Sequence, residues 1–279
     1  MLRRVVRALR SLAARGSWPR VVIMAVTRPR HLSRLATFDA REYVADQTNR
    51  FRDIGLDYEE SIAVAHRIRP NARIHSEHYP LFAGWLATRP ASMVLEIGTD
   101  TGSFAAFLAD LPGGHRVTTV DLPAEDRRYR RATIDDDLRT PRAEVPDERA
   151  GNLRRENLHS ITCNSMELTY WEYTFDAIWV DGDHTNPVVT IDAINALRLL
   201  KPGGLLSFDD VRLPNAWDNR YGGTEAWQVL VALRDAGMIQ FSLIYKRMIP
   251  NFLAIEEIRK YIAVVRPLRN PRASSTSTS

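Results

Sequence analysis

SMVLEIGTDTGSFAAFLADL, residues 92–111, decides the fold. An apolar run ends in glycine at Gly98, and from Ser103 the apolar residues recur at helical spacing. That is strand, glycine turn, helix. Outward from it the alternation continues. HRVTTVDLP reads as a second strand stopped by Pro123, LHSITCNS as a third and FDAIWVDGD as a fourth. VVTIDAINALRLL is a helix, KPGG a turn, LLSFDDV a fifth strand and TEAWQVLVALRDAG another helix. IQFSLIYKRMI and NFLAIEEI read as two last strands joined around Pro250 and Asn251. Residues 41–88 precede all this as three helical stretches. The charged stretch 124–156 reads as an insertion or loop. Alternating strands and helices imply an α/β fold, a doubly wound, mostly parallel, seven-stranded Rossmann-like sheet with an antiparallel edge strand, preceded by N-terminal helices.

Composition narrows the class. The 279 residues are 44% hydrophobic, enough for a sizeable core. A lone cysteine, Cys163, forbids an internal disulfide and suits a reducing, cytoplasmic setting. Net charge is +4, with 35 arginines against three lysines (Lys201, Lys246 and Lys260). The arginines are mixed with acids over most of the chain, which argues against a nucleic-acid partner. Residues 1–38 are the exception, with nine arginines and no acid. Leu2, Val5, Val6, Leu9 and Leu12 share one helical side there, so an amphipathic helix could lie on an anionic inner membrane surface, or pack on the domain or a partner. VVIMAV, residues 21–26, is too short to span a bilayer.

In open α/β sheets ligands bind beyond the carboxyl ends of the strands. The tips here carry Glu96 to Gly98, Asp121, Asn164 with Ser165, Asp181 with Asp183, and Asp209 with Asp210. Acids at most tips argue against a phosphate site. The loop has Gly98 and Gly102 but Asp100 where a dinucleotide fingerprint needs its central glycine. Glu96 would meet a cationic group more comfortably than an anion. Asp121, 19 residues after Gly102, is placed for ribose hydroxyls. A positively charged nucleoside without phosphates is S-adenosylmethionine.

VLEIGTDTG, VTTVDLP, FDAIWVDGDH and LKPGGLLSFDDV, in that order, resemble a class I S-adenosylmethionine-dependent methyltransferase over about Ser92 to Ile258. The glycine pattern and the VDGDH to FDDV pairing are similar to the divalent-metal-dependent catechol-type and the sugar and antibiotic O-methyltransferases. The resemblance implies cofactor contacts at Glu96, Gly98, Thr99, Gly102 and Asp121, with Asn164 or Ser165 near the adenine. It implies magnesium at Asp181, Asp209 and Asp210. It implies a small-molecule or sugar hydroxyl as acceptor, and a homo-oligomer through the leading helices. The chain then divides into an arginine-rich segment 1–38, a helical acceptor-side region 39–91, a catalytic domain 92–265 and a disordered tail 266–279.

Physical chemistry gives the metal reading independent footing. Magnesium takes about six oxygens and keeps several waters, so one to three carboxylates suffice. Adjacent strand tips about 4.8 Å apart let Asp181 and Asp209 converge. Asp183 either ligates or caps the following helix. The alternative is a set of turn and cap acids in a metal-independent enzyme. His184, beside Asp183, is the candidate general base together with Asp181 as catalytic pair, or a structural histidine in the loop. His75 and His78 read as surface histidines with a lesser chance of reaching the pocket. Trp217 and Tyr221 could wall an acceptor site. Two other functions stay open: a metal-independent N- or C-methyltransferase, and a non-catalytic nucleoside-binding scaffold.

Overall fold

The computed structural model describes residues 34, 37–69, 76–123, 126, 134–135, 140–141, 145–214, 224–247, 254 and 259–268. Three helices lead, as expected: α1 (Ala40–Asp53), α2 (Tyr58–Ile68) and α3 (His78–Ala87). Asp39 and Asp57 cap the first two, their carboxylates accepting from the backbone N–H groups of Arg41 and Glu60.

The seven strands are β1 (Met93–Ile97), β2 (Arg116–Asp121), β3 (Leu158–Thr162), β4 (Phe175–Val180), β5 (Leu200–Val211), β6 (Ile239–Tyr245) and β7 (Tyr261–Pro267). The crossover helices are α4 (Ser103–Asp110), α5 (Val145–Asn152), α6 (Val188–Leu199) and α7 (Glu225–Asp235). A two-residue ladder pairs Ile134–Asp135 with Thr140–Pro141. The order across the sheet is β3-β2-β1-β4-β5-β7-β6. β1 to β5 pair in parallel, and β7 pairs antiparallel with both β5 and β6. Helices cover both faces, so β1 and β4 are buried almost end to end and read as continuous apolar runs. One core layer lies under α6 and α7 around Ile178, Leu206 and Leu230, the other under α2, α3 and α4 around Phe82, Phe107 and Trp179.

One strand differs from expectation. The last strand is YIAVVRP, not NFLAIEEI. Of residues 251–258 only Ala254 is described, and it is helical. Both segments carry spaced apolar residues. Tyr261–Pro267 lies between β5 and β6 and is buried over most of its length.

The β6 edge is closed by α1. Gln47 donates from Nε2 to the Tyr245 carbonyl at 3.1 Å and accepts from the Tyr245 N–H at 2.9 Å, while Arg50 donates to the Leu243 carbonyl at 2.6 Å. A side-chain amide thus stands in for a missing neighbouring strand. Among the described residues no helix is long and apolar enough to cross a membrane. The arginine-rich segment lies outside the described residues except at 34, 37 and 38.

Candidate active site

Register brings the expected acids together. Ile97 pairs with Val180 and Val180 with Phe208, so the residues just past them, Gly98, Asp181 and Asp209, lie side by side at the carboxyl end of the sheet. The β5–β7 register shifts between Phe208 and Val211, and Asp210 within that irregularity has φ of 52°. A bulge with a left-handed residue re-aims successive side chains, here both toward the strand tip. Asp209 is 2% exposed.

The β6–β7 hairpin delivers what the sequence reading missed. β6 ends, and β7 begins, at this same end of the sheet, and the Lys246 N–H donates to the Lys260 carbonyl at 3.1 Å as the next rung. The Lys246 ammonium contacts both Asp209 and Asp210, and the Lys260 ammonium contacts Asp210. Burial disfavours every one of these charges, yet Lys246 holds Asp209 and Asp210 below the usual carboxylate range. In return the Lys246 pKa is raised despite its burial, by Asp209, Asp210 and Asp181. Burial lowers that of Lys260. A signal was available in the composition. A chain that uses 35 arginines and three lysines brings two of the lysines to one pair of aspartates.

Asp181 faces His184, whose Nε2 lies 3.4 Å from Oδ1. Burial, then the neighbouring Asp209 carboxylate, pushes Asp181 up to about 7. Burial opposes the His184 charge, but Asp181, Asp210 and Asp209 outweigh it and raise its pKa. Asp183 is occupied as a cap, its Oδ1 accepting from the N–H (2.9 Å) and hydroxyl (2.6 Å) of Thr185. His78 is not a surface histidine. Its ring stacks on Trp179 at 5.2 Å and meets Phe104 edge-on at 4.4 Å, its Nδ1 is 2.7 Å from the Ser76 hydroxyl, and burial lowers its pKa to about 3. Helix α3 begins there because the Glu77 N–H donates to the Lys246 carbonyl at 2.9 Å. His75, Trp217 and Tyr221 lie outside the described residues.

The glycine loop occupies the next two tips. Gly98 (φ 97°) donates to the Val120 carbonyl, and Asp181 donates to the Ile97 carbonyl, both at 2.8 Å. Gly102 (φ 69°) opens α4, where a Cβ would come within 2.9 Å of Leu153. Glu96 is 2% exposed and accepts from the Thr119 hydroxyl at 2.5 Å, which itself lies 2.6 Å from the Thr99 hydroxyl. Burial raises Glu96 well above the ordinary carboxylate range, opposed by the Thr119 hydrogen bond. Asp121 accepts from the Asp100 N–H at 3.2 Å and pairs with Arg149 of α5 at 2.8 Å. Asn164 is a capping residue: its side chain accepts from the Met166 N–H, and its own N–H donates to Glu167, both at 3.1 Å. The Ser165 carbonyl accepts from Asn195 at 3.2 Å. Asp192, behind Gly182, is fully buried without a well-formed hydrogen bond, and burial pushes it up to about 6, moderated by the nearby Ser165 hydroxyl.

The donor set does not suit magnesium. Asp209 and Asp210 are gathered as expected, but an ammonium already sits between them. Among the described residues no three His, Cys, Asp or Glu side chains are placed to hold one ion. S-adenosylmethionine fits better: Asp121 is a carboxylate on the β2 tip within hydrogen-bonding reach of backbone and solvent. A cavity of about 640 Å³ lined by Trp85, Leu200, Lys201 and Phe241 lies at the opposite end of the sheet, away from these groups.

Residues 95–211 match the profile of a family described as "Methyltransferase domain". Among curated proteins the chain is similar to the ubiquinone/menaquinone biosynthesis C-methyltransferase UbiE of Ruegeria sp. (strain TM1040). The two are 30% identical over 135 residues, 47% of either sequence, so the chain spans about half the length of that relative. Among solved structures it resembles cofactor-bound Rv0187 from MTB, with a TM-score of 0.50 and 16% identity over 74% of this chain and 87% of that one. The O-methyltransferase from Bacillus cereus, in complex with SAH, gives 0.48 and 18% over 75% and 89%. The likeness to Rv0187 concerns the fold alone. Strand order, glycine loop and family match agree that residues 95–211 carry a methyltransferase domain.

Proposed function

We propose that the protein transfers a methyl group from S-adenosylmethionine to a hydroxyl of a small molecule or sugar. The observation that carries this reading is the His184–Asp181 pair at the β4 tip, one strand from the glycine loop. The bound cofactor supplies an electrophilic sulfonium methyl. Glu96, Gly98, Thr99, Gly102 and Asp121 are the residues that would hold it, with Asn164 and Ser165 toward its nucleoside end. Asp121 would exchange its Arg149 partner for hydroxyl groups. The His184 imidazole accepts the acceptor's proton, and Asp181, which faces its Nε2, steadies the resulting imidazolium. Asp181, Asp210 and Asp209, which raise the His184 pKa, strengthen it as a base. His78 and Trp179 form an aromatic wall beside the acids.

A second reading has its own support. The curated relative is named as a C-methyltransferase, and an ammonium between Asp209 and Asp210 suits an acceptor that needs no metal. In that reading the same pair removes a proton from an acidic carbon.

Calorimetric titration of S-adenosylmethionine into the wild-type chain and Asp121→Ala tests the donor site. Micromolar binding that weakens roughly tenfold or more in the variant supports it. No binding in the wild type would end the enzyme reading. Product analysis after incubation with hydroxylated and carbon-acid acceptors then separates the two acceptor classes.

A further inference from the structure

Asp209 and Asp210 present two carboxylates at a bulged strand tip, each with a lysine against it. Together with Asp181 and His184, three carboxylates face two ammonium groups and one imidazole, so the cluster is neutral when Asp181 is ionised and His184 protonated. A divalent ion entering here would have to expel a buried ammonium that already satisfies the same oxygens. Lysine suits that place in a way arginine does not. Its ammonium is compact and point-like, close to a small cation in shape, whereas a guanidinium is a flat fork. In a chain so dominated by arginine, that choice falls where two carboxylates converge.

We propose that the Lys246 ammonium takes the place of a divalent cation at the tips of β4 and β5 and positions the oxygen of the acceptor there. An ammonium has three N–H donors, of which Asp209 and Asp210 take two. The third is the donor for the acceptor oxygen. Asp209 Oδ1, buried and without a hydrogen-bond partner among the described residues, leaves that carboxylate open to one further donor. The ligand class is a neutral hydroxyl or enol. Lys260 keeps Asp210 from competing for it. Lys246 positions the acceptor and takes no proton from it. The assignment rests on the methyl-transfer reading for its purpose, not for its geometry.

Mn²⁺ titration of the full-length chain, followed by electron paramagnetic resonance, reads the site without any turnover. The wild type should bind Mn²⁺ here no tighter than about 1 mM, as a weak site does, with no change in Asp209→Asn. Lys246→Ala should gain Mn²⁺ affinity by roughly tenfold or more, lost again when Asp209→Asn is added. If Lys246→Ala does not fold, Lys246→Met, which keeps the apolar stem and removes only the ammonium, serves instead. Micromolar Mn²⁺ binding by the wild type that Asp209→Asn abolishes would overturn the proposal. So would folded Lys246 variants that gain no affinity. Expected Mn²⁺ behaviour alongside absent S-adenosylmethionine binding would instead defeat the function and leave the cation assignment standing.

Discussion

Gly98 and Asp181 meet backbone to backbone: a Cβ on Gly98 would stand 2.2 Å from the Asp181 carbonyl oxygen. The contact locks the glycine loop of β1 to the acid-bearing tip of β4, so the two halves of the site share one rigid junction. Neither side can yield, because both Gly98 and Asp181 are tied by 2.8 Å hydrogen bonds to strand ends.

Gly98→Ala should therefore be severe. Its φ of 97° strains any L side chain, and the overlap is with backbone. A loss beyond roughly 2 kcal/mol, or failure to fold, is expected from strain plus displacement. Gly203→Ala is the control, since Gly203 also has positive φ (75°) but nothing lies within 4 Å of its Cβ position. That substitution should cost only about 1 kcal/mol. Chemical denaturation of both variants measures the difference, and equal losses would refute the junction.

Glu77 gives a pH signature. It is 5% exposed, accepts from the Tyr58 hydroxyl at 2.9 Å, and burial pushes its pKa from 4.5 up to about 8. The folded chain thus keeps a proton that the unfolded chain releases. Stability from this group is complete below about pH 4.5 and is lost as pH rises to about 8, at up to roughly 1.4 kcal/mol per pH unit. Glu77→Gln should flatten that slope, with its advantage over wild type growing from acid to alkaline pH. Melting temperatures across pH 5 to 9 test this, and parallel curves would show that Glu77 does not titrate in the window.

Much of this architecture was legible because parallel strands buried on both faces announce themselves. VLEIG and AIWV are near-continuous apolar runs, and polar residues at their ends mark the tips. The three leading helices were legible as helical stretches within 41–88, while their caps, Asp39 and Asp57, came from the structure. The lysines did not show. Lys246 and Asp209 are 37 positions apart, and their meeting depends on the reversed strand β7, which NFLAIEEI mimicked. His78 escaped for the same reason: its place on Trp179 follows from the docking of α3, tied through Glu77 to Lys246. Asn164 has the right position but spends its side chain on a cap.

The strongest test of the chemistry is His184. The proposed role as proton acceptor at the β4 tip, with Asp181 at 3.4 Å, would place its effect on the step after both ligands bind. His184→Asn should lower kcat by about 10²- to 10⁴-fold, the usual contribution of a positioned base. S-adenosylmethionine affinity should stay within about twofold, since His184 is assigned to the acceptor and not to the donor. Added imidazole should restore part of the rate by filling the vacated volume. Asp181→Asn should show a smaller loss in kcat, because it removes the partner that steadies the imidazolium and leaves the base in place. A His184 variant that turns over at the wild-type rate would reduce the histidine to a structural member of the loop and move the search for the base to His78.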